Sequence, residues 1–155
     1  MTMEIKIATL DAIPQIEVLY QELFLEMSIL QPKYIRPAKQ DVNFIRYTII
    51  EDDSDILIAE KDHEILGFLL IKEMTTPRYT CMVEYTYAFI IDVIVGKRYQ
   101  SKGIGSALLL EAKKWADTRK LNYLELNVLS GNKGAIALYE KLGFKDINHT
   151  MRFEL

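Results

Sequence analysis

One stretch restricts the fold of this chain more than any other. "AFIIDVIV" (Ala88–Val95) is apolar and β-branched, as a buried strand is, and it leads through a turn holding Gly103 and Gly105 into "GSALLLEAKKWAD". There Ile104, Leu108, Ala112, Trp115 and Ala116 recur at helical spacing and predict a buried stripe. "NYLELNVL" (Asn122–Leu129) reads as the next strand. Strand, helix and strand in this order make a crossover whose strands run parallel and whose hand is fixed. The glycines open the crossover helix, where unpaired backbone N–H groups face outward and bind anions.

The remaining sequence fills out a mixed α/β layer. "EIKIA" (Glu4–Ala8) alternates as a short strand, and Thr9 or Asp11 is placed to cap a helix carrying Ile13, Ile16, Leu19, Tyr20, Leu23 and Phe24. "QPKYIRP" (Gln31–Pro37) breaks that helix, and a second is expected from about Ala38 to Ile50. "DILIAEKDHEILGFLLIKEM" (Asp55–Met74) predicts two strands joined by a tight turn near Asp62 and His63. "NKGAIALYEKLGF" (Asn132–Phe144) predicts a short helix ending at Gly143, and the tail through "MRFEL" a final strand or two. The 155 residues are expected to form one domain, 1–155.

Composition closes several alternatives. A net charge of −3 argues against general affinity for nucleic acid. No run approaches the roughly 18 apolar residues of a membrane helix, and "MTMEIKIATL" lacks the features of a signal peptide, so the expected setting is cytoplasmic, away from membranes. The single cysteine, Cys81, allows no intramolecular disulfide and suggests no metal cluster; it reads as a small core residue. His63, alone in its turn, reads as solvated. "EDDSD" (Glu51–Asp55) reads as a solvated acidic loop, whereas Lys97, Arg98 and Lys102 flank the glycine turn and favour a local anionic ligand.

Three phosphate-binding turns compete for that position. A P-loop needs Gly-x-x-x-x-Gly-Lys-Ser/Thr, which this sequence lacks. A dinucleotide fingerprint needs Gly or Ala three residues after its second glycine, where Leu108 stands. The third is Gln100-x-x-Gly103-x-Gly105, whose successive amides at a helix end, with about half a positive charge, suit a pyrophosphate. The competing reading is a glycine turn that only packs tightly.

Two motifs in order then resemble the GNAT family of N-acetyltransferases. The family's Arg/Gln-x-x-Gly-x-Gly/Ala is matched by Gln100, Gly103 and Gly105. Its Asn-x-x-Ala-x-x-x-Tyr-x-x-x-Gly-Phe is matched by Asn132, Ala135, Tyr139, Gly143 and Phe144. The strand exit departs from many relatives, with Gly96-Lys97 in place of an acidic residue and proline, and Gln100 brings no charge, so Lys97, Arg98 or Lys102 has to supply it.

The resemblance implies a mixed, mostly antiparallel sheet with splayed central strands and about four helices, and acetyl-CoA as co-substrate with no metal. It implies that the amides of Gln100, Ser101, Lys102, Gly103, Ile104, Gly105 and Ser106 hold the pyrophosphate, and that the backbone of Val93, Ile94 and Val95 pairs with the pantetheine arm. Asn127, Asn132 and Ala135 line the coenzyme from the following strand and helix, with Asn132 also readable as a helix cap. Tyr139, otherwise a core aromatic, becomes the donor to the departing thiolate. Asp92, in an apolar strand, is the candidate base for the amine, with Glu84 next; for both, a structural or substrate hydrogen bond is the competing reading. The acceptor is expected to be a small-molecule or peptide amine, and Glu26, Tyr34, Glu84, Tyr85 and Tyr87 are compatible with a cationic one. A homodimer is consistent with relatives that pair through C-terminal strands. The rival reading is a non-catalytic coenzyme A-binding sensor, which needs neither Tyr139 nor Asp92.

Overall fold

The computed structural model describes residues 2–155. The chain runs β1 (Glu4–Ile7), a 3₁₀ turn (Leu10–Ala12), α1 (Ile13–Leu30), α2 (Val42–Ile50), β2 (Ser54–Lys61), β3 (Glu64–Thr75) and β4 (Thr86–Val95). A second 3₁₀ turn (Lys97–Tyr99), α3 (Ile104–Thr118), β5 (Leu124–Leu126) and α4 (Lys133–Lys141) follow. The sheet order is β1-β2-β3-β4-β5, antiparallel except for the parallel β4–β5 pair. The expected mixed, mostly antiparallel architecture with four helices is the one observed.

Local chemistry sets the boundaries. Pro14 sits in the first turn of α1, where its missing N–H costs nothing. Asp41 caps α2 by accepting from the Asn43 amide at 2.9 Å, so this helix starts at Val42, four residues later than the sequence suggests. Asp62 and His63 both take positive φ (52° and 65°), the twist a two-residue hairpin needs. Among the described residues no helix is long and apolar enough to cross a membrane.

Two apolar clusters sandwich the sheet. On one face α3 buries Ile104, Leu108, Ala112, Trp115 and Ala116 against Leu69, Ile71, Ala88 and Ile90, which is the stripe its spacing predicts. On the other, α1 and α2 bury Ile16, Tyr20 and Ile45 against Ile56, Phe68, Leu70 and Ile94. β3 and β4 approach closely at Gly67, where a Cβ would lie 2.6 Å from the Ile94 carbonyl oxygen.

Further expectations are corrected: neither Thr9 nor Asp11 caps α1, whose N-cap is Ala12 with no side-chain bond. The tail forms no strand: β5 offers only three residues of edge, too short a template for a further ladder. The tail instead runs exposed, held to the segment after α1 by Arg152 stacked 3.7 Å over Tyr34 and by Glu154 bonded to Lys33 and Tyr34. "EDDSD" is solvated only over Glu51–Asp53; Ser54 is buried and donates to the Thr48 carbonyl at 2.9 Å, and Asp55 accepts from Trp115 Nε1 at 2.8 Å. Cys81 is exposed in the β3–β4 loop rather than packed in a core.

Candidate active site

The sheet opens where β4 leaves β5. Their pairing covers only Ala88 with Leu124, Phe89 with Glu125 and Ile90 with Leu126. A bulge follows at once: Leu70 of β3 pairs Asp92 while Ile71 pairs Ile90, which leaves Ile91 extra. Ile90 therefore points to the α3 side, while Ile91 and Asp92 both turn to the α1 side. Beyond the bulge β4 is paired with β3 on one edge only. The Gly96 amide donates to the Leu66 carbonyl of β3 at 2.8 Å, so strand alternation turns the backbone of Val95 and Val93 into the gap and that of Ile94 toward β3. The Val95 carbonyl accepts from Gln100 Nε2 at 3.2 Å, which agrees with that direction.

At the open end of the gap lies the glycine turn. Ser101 and Gly103 are left-handed (φ 63° and 80°). The first helical bond of α3 runs from the Ala107 amide to the Gly103 carbonyl, so the amides of Ile104, Gly105 and Ser106 have no partner within the helix. The two glycines do different things. A Cβ on Gly103 would meet nothing within 4 Å, so glycine is there for the backbone turn beside open space; a Cβ on Gly105 would come 3.2 Å from Leu138 Cδ2, so glycine there lets α4 close on α3. The tight-packing reading holds for Gly105 and not for Gly103.

Lys97, Arg98 and Lys102 are exposed around this turn. Gln100 Nε2 also reaches Glu26 Oε1 at 3.3 Å, and Glu22 Oε2 accepts from the Lys97 amide at 3.1 Å. Burial holds the Glu26 carboxyl above its ordinary range, against the Gln100 hydrogen bond. Glu26 thus braces the glycine turn, and Glu22, a turn away on α1, was not marked by any motif.

On the α1 face, Tyr20 Oη donates to Asp92 Oδ2 at 2.7 Å. Burial raises the Asp92 pKa, and the Tyr20 hydrogen bond opposes the rise. Glu84 stands eight positions earlier, exposed in the loop before β4. On the α3 face, α4 begins at Asn132, whose side chain accepts from the Ala135 amide at 3.2 Å as a helix cap. Tyr139 is buried in the α3-side cluster 5.7 Å from the Phe144 ring, and its hydroxyl finds no hydrogen-bond partner among the described residues. Burial pushes its pKa up. Asn127 is exposed just past β5, and Ala135 is half-buried. His63 is exposed in its hairpin turn.

The model of the acetyltransferase (GNAT) family matches residues 16–144. A thialysine N-ε-acetyltransferase of Sus scrofa is 33% identical over 95 residues, covering 50% of this chain and 56% of that protein. Curated relatives are matched over about half to two thirds of their lengths. Among solved structures, a tetramutant of the BH1408 protein from Bacillus halodurans superposes with a TM-score of 0.91 at 20% identity, covering 98% of this chain and 99% of that one. An aminoglycoside N-acetyltransferase in complex with CoA gives 0.75 at 13% identity, covering 99% and 95%. With a family model that takes in most of the core, the gap and the glycine turn, the chain belongs to the acetyltransferase (GNAT) family.

Proposed function

We propose that the chain transfers an acetyl group from acetyl-CoA to a primary amine of a small molecule or peptide, by direct attack in a ternary complex. One observation carries this reading: Asp92 and Tyr139 lie on opposite faces of a sheet that opens between β4 and β5. A group threaded through that opening can meet both. The free amides of the glycine turn suit the pyrophosphate, with Lys97, Arg98 and Lys102 adding charge. The gap-facing backbone of Val93 and Val95 suits the amide-bearing pantetheine arm, and Asn127, Asn132 and Ala135 form the facing wall. The names of similar proteins, which act on thialysine and aminoglycosides, support an amine acceptor.

The bond changes are simple. The amine nitrogen attacks the thioester carbonyl carbon, the C–N bond forms and the C–S bond breaks. At pH 7 an alkyl amine of pKa about 10.4 is neutral roughly once in 2,000, a penalty of about 4–5 kcal/mol. Asp92, with its pKa raised by burial, accepts the amine proton, directly or through water. In water, full proton transfer from a tyrosine of pKa about 10 to a thiolate of about 8.5 is uphill by roughly 2 kcal/mol, and the burial that raises the Tyr139 pKa makes it more so, so Tyr139 stabilises the leaving thiolate by hydrogen bonding.

The test is thiol release from acetyl-CoA against polyamines, aminoglycosides, amino acids and short peptides, in wild type and Tyr139→Phe. Cys81, exposed, contributes at most one equivalent of background. Amine-dependent turnover that falls about 10- to 100-fold in the variant, the worth of one hydrogen bond to a charged group, is expected. A protein that binds coenzyme A yet turns over no amine would instead be the sensor.

A further inference from the structure

The α1-side face of the sheet is covered unevenly. α1 and α2 pack over β2, β3 and β4, but the edge formed by β4 and β5 carries its own aromatic group. Ala88, Ile90, Leu124 and Leu126 turn toward the α3-side cluster, so Tyr87, Phe89, Tyr123 and Glu125 turn the other way. Parallel register sets Tyr87 beside Tyr123, and their rings stack at 4.9 Å and 12°. Tyr85 meets Tyr123 edge-on at 6.0 Å. Such a cluster is ordinary in a core, yet Tyr85 is 45% and Tyr123 38% exposed.

Glu125 is the next step along this row toward Asp92, opposite Phe89. It is half-buried, and among the described residues it has no cation within ion-pair distance. Lys72, opposite Phe89 on the β3 side, is drawn to Asp53 at 3.9 Å instead. Burial first, and the Glu125 charge next, hold the Tyr87 hydroxyl above its ordinary pKa, and the same two causes lead for Tyr123. The carboxylate therefore adds negative potential at both phenols. An anion is repelled here, and a purely apolar ligand would desolvate Glu125 with no compensation. An ammonium group gains from both the carboxylate and the rings.

The geometry points to Tyr85, Tyr87, Tyr123 and Glu125 as the subsite for the distal ammonium of an acceptor carrying two or more amines, the other amine lying at Asp92. This rests on the acetyl-transfer reading above. Across the bulge Phe89 and Asp92 lie opposite Lys72 and Leu70, two positions apart on β3, and Glu125 stands one strand over, so the two nitrogens stand roughly 8 Å apart, with the intervening methylenes on Phe89.

The probes are spermidine and butylamine. Calorimetry without acetyl-CoA separates binding from catalysis: spermidine binding is expected to weaken with salt and to fall about 5- to 30-fold in Glu125→Gln and Tyr123→Ala. Glu125→Gln is nearly isosteric and serves if Tyr123→Ala does not fold. In turnover, the preference for spermidine over butylamine in kcat/KM is expected to shrink by the same factor in both variants. Spermidine binding that depends on Glu125 without any acetylation keeps the subsite and ends the acetyl-transfer reading. Acetylation in which Glu125→Gln changes neither the spermidine dissociation constant nor the amine preference overturns the subsite. So does a Glu125→Gln variant that changes only the sedimentation of the protein, which would make the face a contact between copies.

Discussion

Tyr20 Oη and Asp92 Oδ2 lie 2.7 Å apart, so a fully buried phenol on α1 holds the carboxylate that the β4 bulge turns to the α1 face of the sheet. The bond favours the ionised carboxylate and pulls against the burial that raises its pKa. Removing the donor therefore moves the Asp92 pKa further up. In Tyr20→Phe the acid limb of the kcat/KM profile should shift to higher pH by about one unit, the size of one hydrogen bond to a charged group. The KM for acetyl-CoA should hold. A limb that stays in place would show that Asp92 does not set it.

The same residue predicts a trade of stability for function. The folded-state pKa of Asp92 is raised above the unfolded value of about 3.9, so the folded protein binds more protons and stability falls as pH rises through that folded pKa. Asp92→Asn removes this cost. Its urea midpoint should exceed that of the wild type at pH 8, and the difference should close as pH falls below the unfolded value of about 3.9, where both states carry the proton. Turnover should fall about 10²- to 10⁴-fold. Equal midpoint differences at both ends of this pH range would mean that the carboxylate is not penalised in the fold.

Much of this was readable in the chain because it is local. The α3 stripe, the Asp62-His63 turn and the Gly103 turn each follow from residues within a few positions of one another. What was not readable is set by pairing across the sheet. The bulge that aims Asp92 depends on β3 register, and the contact of Glu26 with Gln100 depends on how α1 packs beside the glycine turn. Tyr123 and Glu125 carry no motif; only the parallel register puts them beside Tyr87 and Phe89. The tail alternates like a strand at Met151, Phe153 and Leu155, but alternation describes the segment and not the edge it needs.

Trp115 gives a prediction on stability alone. Its Nε1 donates to Asp55 at 2.8 Å, and Arg119 lies 4.1 Å over its ring while reaching Glu73 at 3.2 Å and the Asp52 carbonyl at 2.9 Å. The end of α3 is thereby clipped to the start of β2. Trp115→Phe keeps a ring in place and loses the hydrogen bond to a charged acceptor, which should cost about 2 kcal/mol in urea unfolding. Arg119→Ala, on a partly exposed pair, should cost about 1 kcal/mol or less. A Trp115→Phe protein as stable as the wild type would mean that packing alone secures this end of the helix.

Gly103 and Gly105 should separate in the same experiment, although they sit two residues apart in one motif. Gly103 has φ 80°, so an alanine there is strained by about 1–2 kcal/mol even though its Cβ has open space. Gly105 is the second residue of α3, where alanine gains some helix propensity, and its Cβ would press at 3.2 Å on the end of the flexible Leu138 side chain, which has to give by only a few tenths of an ångström. Gly103→Ala should therefore lose stability, Gly105→Ala should be near neutral, and Gly103→Asn should recover part of the loss because asparagine tolerates the left-handed region. Coenzyme A titrated calorimetrically should bind more weakly to Gly103→Ala, since a turn that relaxes out of the left-handed region no longer aims the Ile104, Gly105 and Ser106 amides together. Unchanged coenzyme affinity in a measurably destabilised Gly103→Ala protein would place the pyrophosphate elsewhere.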